Sequence, residues 1–238
     1  MRSEDAVLLA VLLSACGTAP HRAPGLRPPD EVARVAPRVV PAPPPPAREI
    51  DPLPCTAGSK IDAWERKLRT RRASADRAAL ARGAAVIPRL KVLVADAGLP
   101  PSLALLPAIE SGFRPGLRGR AGELGLWQLR PRTARRFGLV VTAARDDRVA
   151  LDRATHAAAR YLGLLHERYD DWPLALAAYN AGEARIDRAL ARRPGATFWQ
   201  LADAGLLPTH TASFVPRFFA LARFDGACDT GTLASRAD

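Results

Sequence analysis

Leu103-Ala104-Leu105-Leu106-Pro107-Ala108-Ile109-Glu110-Ser111-Gly112-Phe113 sets an apolar run against a single carboxylate at its end. A glutamate in that position belongs at the edge of a core. Ser102 is a candidate N-cap for a helix that carries Leu103, Leu106 and Glu110. Spacings of three, four and seven place those side chains on one helical face. Two more islands of polar residues in apolar surroundings follow, Gly125-Leu126-Trp127-Gln128 and Ala178-Tyr179-Asn180-Ala181-Gly182. The order of the islands in an all-helical pattern points to a cleft built around one acid.

Outward from that stretch, the chain reads as short helices separated by Gly, Pro and Asp, with no sustained alternation, so strands are expected to be absent or minor. Residues 61–82 favour helix, with Trp64 and Leu68 four apart. Pro88 can start a helix that Gly98 and Pro100-Pro101 stop. A glycine-rich loop over 112–122 leads to a predicted helix over 125–137. Asp152 is expected to cap a long helix ending at Tyr169, and Asp171 one through Leu176 and Tyr179. Glu183 opens a helix that ends before Pro194, and helices near 198–201 and 213–223 complete the fold.

The first quarter of the 238 residues has another composition. Ala6 to Leu13 is apolar but too short to span a bilayer, and Leu13-Ser14-Ala15-Cys16 ends it with small residues before a cysteine; this is the shape of a secretory signal. The plain alternative is an ordinary buried apolar N-terminus. Between Pro20 and Pro54 lie twelve of the 22 prolines, a composition that cannot form a core and reads as a disordered tether. Cys55 and Cys228 flank the helical region, either as a disulfide or as two unpaired thiols. No CxxC or His/Cys cluster points to a metal.

The net charge is +11, with Arg about tenfold more frequent than Lys and scattered among Ala. Charge alone supports nucleic-acid binding; a solvated basic surface that aids encounter with anionic envelope polymers is the simpler reading. Nucleic acid is therefore not an expected partner.

Chemically, a carboxyl against Leu, Pro and Ile loses solvation, which disfavours its anion and lets it donate a proton near neutrality. That is how a glycosidase acid is made. The plain alternative for Glu110 is a side chain turned to water at a helix end. Most glycoside hydrolases use a second carboxylate, and the pattern places none near Glu110. Asp146 and Asp147 lie in a polar turn, and Asp152 reads as a cap. A one-carboxylate mechanism would draw on the substrate's own groups. Tyr179, Asn180 and Gln128 offer a phenol and two amides, and Ala181-Gly182 lets a ligand approach the backbone. Trp127 could line a sugar cleft or pack in the core.

Glu110-Ser111-x-Phe113, Gly125-Leu126-Trp127-Gln128 and Ala178-Tyr179-Asn180-Ala181-Gly182 resemble the three motifs of family 1 soluble-type lytic transglycosylases, in the flavour of the membrane-bound type D enzymes. The flanking phrases Leu-Pro-Pro-Ser-Leu-Ala-Leu-Leu-Pro and Asp171-Trp172-Pro173-Leu174-Ala175-Leu176 are similar too, so the resemblance covers residues 87–224. It implies a mainly α, lysozyme-like (goose-type) fold. It implies cleavage of the bond between N-acetylmuramic acid and N-acetylglucosamine in peptidoglycan, without a cofactor. Glu110 would be the single acid and base, with Ser111, Trp127, Gln128, Tyr179, Asn180 and His210 as substrate-binding candidates. Leu-Ser-Ala-Cys resembles a bacterial lipobox, implying cleavage before Cys16 and lipidation of its thiol.

The sequence departs from the family pattern at Gly119, where Ser is common, and at Leu129-Arg130-Pro131, where Phe-Met-Pro is usual. It departs again at Pro208-Thr209-His210-Thr211-Ala212-Ser213-Phe214, which lacks a Glu and a Tyr. His210 either supplies a hydrogen bond in place of that Glu or lies on the surface. No LysM repeats follow the motifs. The expected organisation is a lipoprotein-type signal peptide over 1–15, a Pro-rich tether over 16–56, a catalytic domain over 57–228 and a tail over 229–238. An exported monomer is expected, anchored through Cys16 at the periplasmic face of a bacterial membrane, the outer membrane being the first choice. Hydrolytic muramidase action, or a weakened peptidoglycan-binding lipoprotein, are the alternative activities.

Overall fold

The computed structural model of the chain describes Leu53 and residues 58–70 and 74–226. Cys16, Cys55 and Cys228 lie outside the described residues, as do the expected signal and tail and all of the expected tether but Leu53. The described fold is mainly α. In chain order the helices are α1 (Ser59–Leu68), α2 (Ser74–Gly83), α3 (Ile87–Asp96), α4 (Leu106–Glu110), α5 (Pro131–Arg136), α6 (Leu151–Tyr169), α7 (Trp172–Ala181), α8 (Glu183–Arg192), α9 (Phe198–Asp203) and α10 (Thr209–Phe224). Extended pairing among the described residues is confined to isolated bridges, Arg118 with Leu124, Leu124 with Leu129, and Val141 with Asp146. No described helix is long and apolar enough to cross a membrane.

The core is organised around α7. Every residue from Trp172 to Ala178 is buried, which follows from a sequence with no polar stripe: a helix apolar all round is stable only when neighbours cover all its sides. Helices α6, α8, α9 and α10 supply that cover. The Asp171 carboxylate accepts a 2.6 Å hydrogen bond from the Leu174 N–H and so starts α7. Gly182 stops it. The last turn of α7 is thereby delivered, already fixed, to the edge of the core, and it carries Tyr179 and Asn180. Helix α10 packs against α1, α4 and α7 and buries Phe214, Val215, Phe218 and Phe219; the tether between Arg223 and Asp62, 2.8 Å, ties its far end to α1.

Three local expectations change. Ser102 is buried within a 3-10 turn, Pro101–Leu105, whose N-cap is Pro100, so it caps no α-helix. Two prolines in succession fix the entry to that turn without a side-chain cap. The helix expected over 125–137 is confined to Pro131–Arg136. Gln128 has φ 46°, outside helical space, and Arg130 is extended ahead of Pro131, as the residue before a proline tends to be. Asp152 sits inside the first turn of α6, whose N-cap is Ala150, and pairs with Arg89 at 2.8 Å. It favours the helix through the dipole and the ion pair rather than through a cap.

Candidate active site

The short helix α4 follows directly on the 3-10 turn, and Leu106, Pro107 and Ala108 anchor it in the core. Its last residue is Glu110, which is half-buried and faces a pocket of about 370 Å³. Burial pushes the Glu110 carboxyl up to about 8; the Glu123 carboxylate pushes in the same direction and Arg217 pulls back. Desolvation dominates because the anion gives up water and gains little in return. Glu110 is therefore mostly a neutral acid at neutral pH.

The far wall comes from α7. Tyr179 donates a 2.7 Å hydrogen bond to the Trp127 carbonyl, which fixes the loop against the helix. Its ring lies 5.3 Å from that of Tyr161, and Tyr161 lies 5.2 Å from Phe137. Asn180 accepts a 2.8 Å hydrogen bond from the buried Thr211 hydroxyl through Oδ1. That bond orients the amide so that its N–H₂ is the end free for a ligand. Glu183, at the start of α8, accepts from Tyr161 at 3.1 Å and Arg136 at 3.3 Å and completes this side of the pocket.

The near wall is irregular and is held by a buried cation. Arg148 is 5% exposed. Its guanidinium donates to both Asp146 oxygens at 2.9 and 2.7 Å, and to the carbonyls of Gly122 and Leu129 at 2.6 and 3.0 Å. The hydrogen bonds from Arg148, opposed by burial, hold the Asp146 carboxyl below its ordinary range. Gly125 lies under this staple with φ 88°, and a Cβ there would stand 2.1 Å from the Arg148 carbonyl oxygen. Glycine is the residue that satisfies both conditions. Gln128, in the left-handed region, donates from Nε2 to the carbonyls of Leu117 and Gly125 at 2.9 and 2.8 Å. Its Oε1 is left for the pocket.

The structure thus brings Glu110, Gln128, Tyr179 and Asn180 to one pocket, and separates the other expected site residues from it. Trp127 is 1% exposed, and its indole N–H donates to Thr155 at 3.0 Å, so it packs in the core. A carbonyl fixed by Tyr179 is what that residue presents toward the helix. Ser111 is buried with its hydroxyl bonded to the Pro107 carbonyl at 3.2 Å, a local bond that closes α4. His210 is exposed on the first turn of α10. Phe214 is buried, and the neighbouring Thr211 is the α10 residue that reaches Asn180.

The expectation of a lone carboxylate is also revised. Glu123 and Glu183 line the same pocket as Glu110. Glu123 accepts from the Ala121 N–H at 2.9 Å and from Arg130 Nε at 3.0 Å. Burial would raise its carboxyl, but hydrogen bonds from its own and the Ala121 backbone and from Arg130 hold it below its usual range. Its position, two residues ahead of Gly125-Leu126-Trp127-Gln128, was the available signal. Asp146 and Asp147 serve the loop instead: Asp147 is 2% exposed and pairs with Arg145 and Arg153 at 2.8 and 3.0 Å.

Residues 93–201 match the family model described as the transglycosylase SLT domain. The chain is 38% identical over 128 residues to membrane-bound lytic murein transglycosylase D of Escherichia coli, covering 52% of this chain and 27% of that one. It is 40% identical over 79 residues to peptidoglycan transglycosylase gp16 of Escherichia phage T7, covering 32% of this chain and 6% of the relative. The chain therefore spans about a quarter or less of the length of these two curated relatives. Among solved structures, an inactive mutant of lytic transglycosylase Slt from Pseudomonas aeruginosa superposes with a TM-score of 0.50 at 25% identity, over 59% of this chain and 24% of that one. Fold, motif order and sequence agree that residues 93–201 resemble a transglycosylase SLT domain, and over that stretch the chain is similar to lytic transglycosylases.

Proposed function

We propose that the chain is a peptidoglycan lytic transglycosylase that cleaves the β-1,4 bond between N-acetylmuramic acid and N-acetylglucosamine, with Glu110 as acid and then base. The observation that carries this reading is the placement of Glu110: a carboxyl half-buried at the end of α4, raised by burial to about 8, facing a pocket lined by Gln128, Tyr179 and Asn180. In the first step Glu110 gives its proton to the glycosidic oxygen as the bond from C1 to that oxygen breaks. The acetamido carbonyl of the same sugar stabilises the cation at C1. The Glu110 carboxylate then takes the proton of the C6 hydroxyl while O6 bonds to C1. The product is a 1,6-anhydro end, no water is consumed, and the acid is regenerated.

In this reading the Asn180 N–H₂ donates to a sugar oxygen and Gln128 Oε1 accepts from a sugar N–H or O–H, while Tyr179 keeps the two walls in register. A bacterial cell envelope supplies the substrate, and the names of the relatives, murein and peptidoglycan transglycosylases, support that choice. Lipidation at Cys16, with residues 16–56 as a spacer, would hold the enzyme as a monomer at the periplasmic face of a membrane, the outer membrane by preference; the membrane-bound relative supports an anchor of some kind.

A second reading, hydrolytic muramidase, is favoured by one observation, the additional carboxylate Glu123 in the pocket. Mass spectrometry of muropeptides released from purified sacculi decides between them. The expected result is anhydro-muropeptides from wild type and none from Glu110→Gln. Reducing-end muropeptides alone would replace the transglycosylase with the muramidase.

A further inference from the structure

The loop between α4 and α5 contains a contact that the cleavage scheme above does not use. Gly119 has no side chain, and a Cβ built there would stand 2.4 Å from Glu123 Oε2, 2.9 Å from Glu123 Cβ and 3.1 Å from Gln128 Oε1. Glu123 therefore occupies space that any other residue at 119 would claim. It is fixed there by the Ala121 N–H at 2.9 Å, by Arg130 Nε at 3.0 Å, and by its own carbonyl, which accepts from the Gly119 N–H at 2.9 Å. The Glu123 side chain is 20% exposed, whereas that of Arg130 is 64% exposed. Solvent screens the cation more than the anion, so the pocket sees net negative charge from this pair.

We propose that Glu123 is a positioning residue for the Glu110 proton: an anion seated in the space left by Gly119, acting across the pocket through Glu110 rather than on the sugar. Three groups act on the Glu110 carboxyl. Glu123 from the loop and Tyr179 from α7 line the same pocket as Glu110, and Arg217 of α10 acts on it through its charge. Of these, Arg217 favours the Glu110 anion, but it is ion-paired with Asp76 of α2, which offsets much of its charge. Tyr179 stays neutral because burial pushes its phenol far up. The remaining ionised groups of the pocket, Arg132 and Glu183, differ in sign, and Glu183 is paired with Arg136. Glu123 is thus the charge that most opposes ionisation of Glu110. A like charge in a partly desolvated pocket disfavours a second anion, and an acid kept protonated up to higher pH remains competent as a proton donor over a wider range.

The proposal deepens the transglycosylase reading and rests on it only for the use to which the proton is put. Its test is therefore a titration. The full chain is labelled with ¹³C at the glutamate side-chain carboxyl, and the Glu110 signal is assigned by its loss in Glu110→Gln. In Glu123→Gln the Glu110 midpoint is expected to fall by about 0.5–1 pH unit. Glu123→Asp should restore most of that difference. Gly119→Ser, which displaces Glu123 while retaining its charge, should shift the midpoint in the same direction as Glu123→Gln.

Added salt should lower the wild-type midpoint and have less effect on Glu123→Gln, because a screened charge acts only where it is present. An identical Glu110 titration in wild type and Glu123→Gln overturns the proposal. So does a Glu123→Gln enzyme that is inactive at every pH while its Glu110 still titrates as in wild type, since Glu123 would then act on the substrate directly. Failure of the transglycosylase reading looks different: no muropeptide release from wild type, with the Glu110 shift intact.

Discussion

The two walls of the pocket are made in different ways. The α7 wall is an apolar helix with a cap at one end and a glycine at the other, and its functional residues occupy its last turn. The wall over residues 112–130 has almost no regular structure; it is held by a buried arginine, left-handed residues and carbonyls that receive side-chain hydrogen bonds. A helix positions side chains through repeated local rules, so its geometry tolerates change at any one residue. An irregular wall concentrates the same task in a few groups, each of which satisfies several partners at once. Tyr179, bonded to the Trp127 carbonyl, joins the two.

This contrast can be broken most severely at Arg148. Replacing it with Ala removes the guanidinium from the Asp146 carboxylate and from the Gly122 and Leu129 carbonyls, leaving Asp146 and Leu129 with one backbone N–H each, and a loss of about 3–5 kcal/mol is expected. Urea unfolding measures that loss, and muropeptide release should fall with it because Gln128 and Glu123 lose their support. Gly125→Ala forces a methyl against the Arg148 carbonyl and a positive φ on a residue with a Cβ; a cost of about 2–4 kcal/mol is expected in the same assay. Tyr179→Phe is the mildest of the three. It retains the packing against Tyr161 and removes the bond to Trp127, for about 1–2 kcal/mol, and it should weaken catalysis more than folding. A Tyr179→Phe variant less stable than Arg148→Ala would mean that the helical wall, not the loop, carries the strain of the site.

The same contrast explains what the sequence disclosed. Asp171, the apolar run to Ala178 and the break at Gly182 are local signals, and they place Tyr179 and Asn180 directly. Glu110 was legible because an apolar run ends on it. Trp127 was ambiguous because an aromatic residue in a motif can face the cleft or the core, and only the Thr155 hydroxyl, which is 28 residues away, decides for the core. Arg148 was invisible as a structural residue, since arginine is ordinarily exposed and its partners at Gly122 and Leu129 are backbone atoms without a sequence signature. Glu123 lies outside any apolar run or helix start, so neither local pattern marks it. The signal lay in a glycine-rich loop, where Gly119 makes the room.

In the proposed mechanism Glu110 is held neutral until it meets the glycosidic oxygen. Its most direct functional test is kcat/KM for muropeptide release from sacculi as a function of pH, with Glu110→Gln as the blank. The free-enzyme acid must be protonated, so activity is lost as pH rises through its pKa. Full activity is expected through neutrality, with an alkaline limb near the value of about 8 to which burial brings Glu110. An alkaline limb in the ordinary glutamate range, about 4, would contradict it.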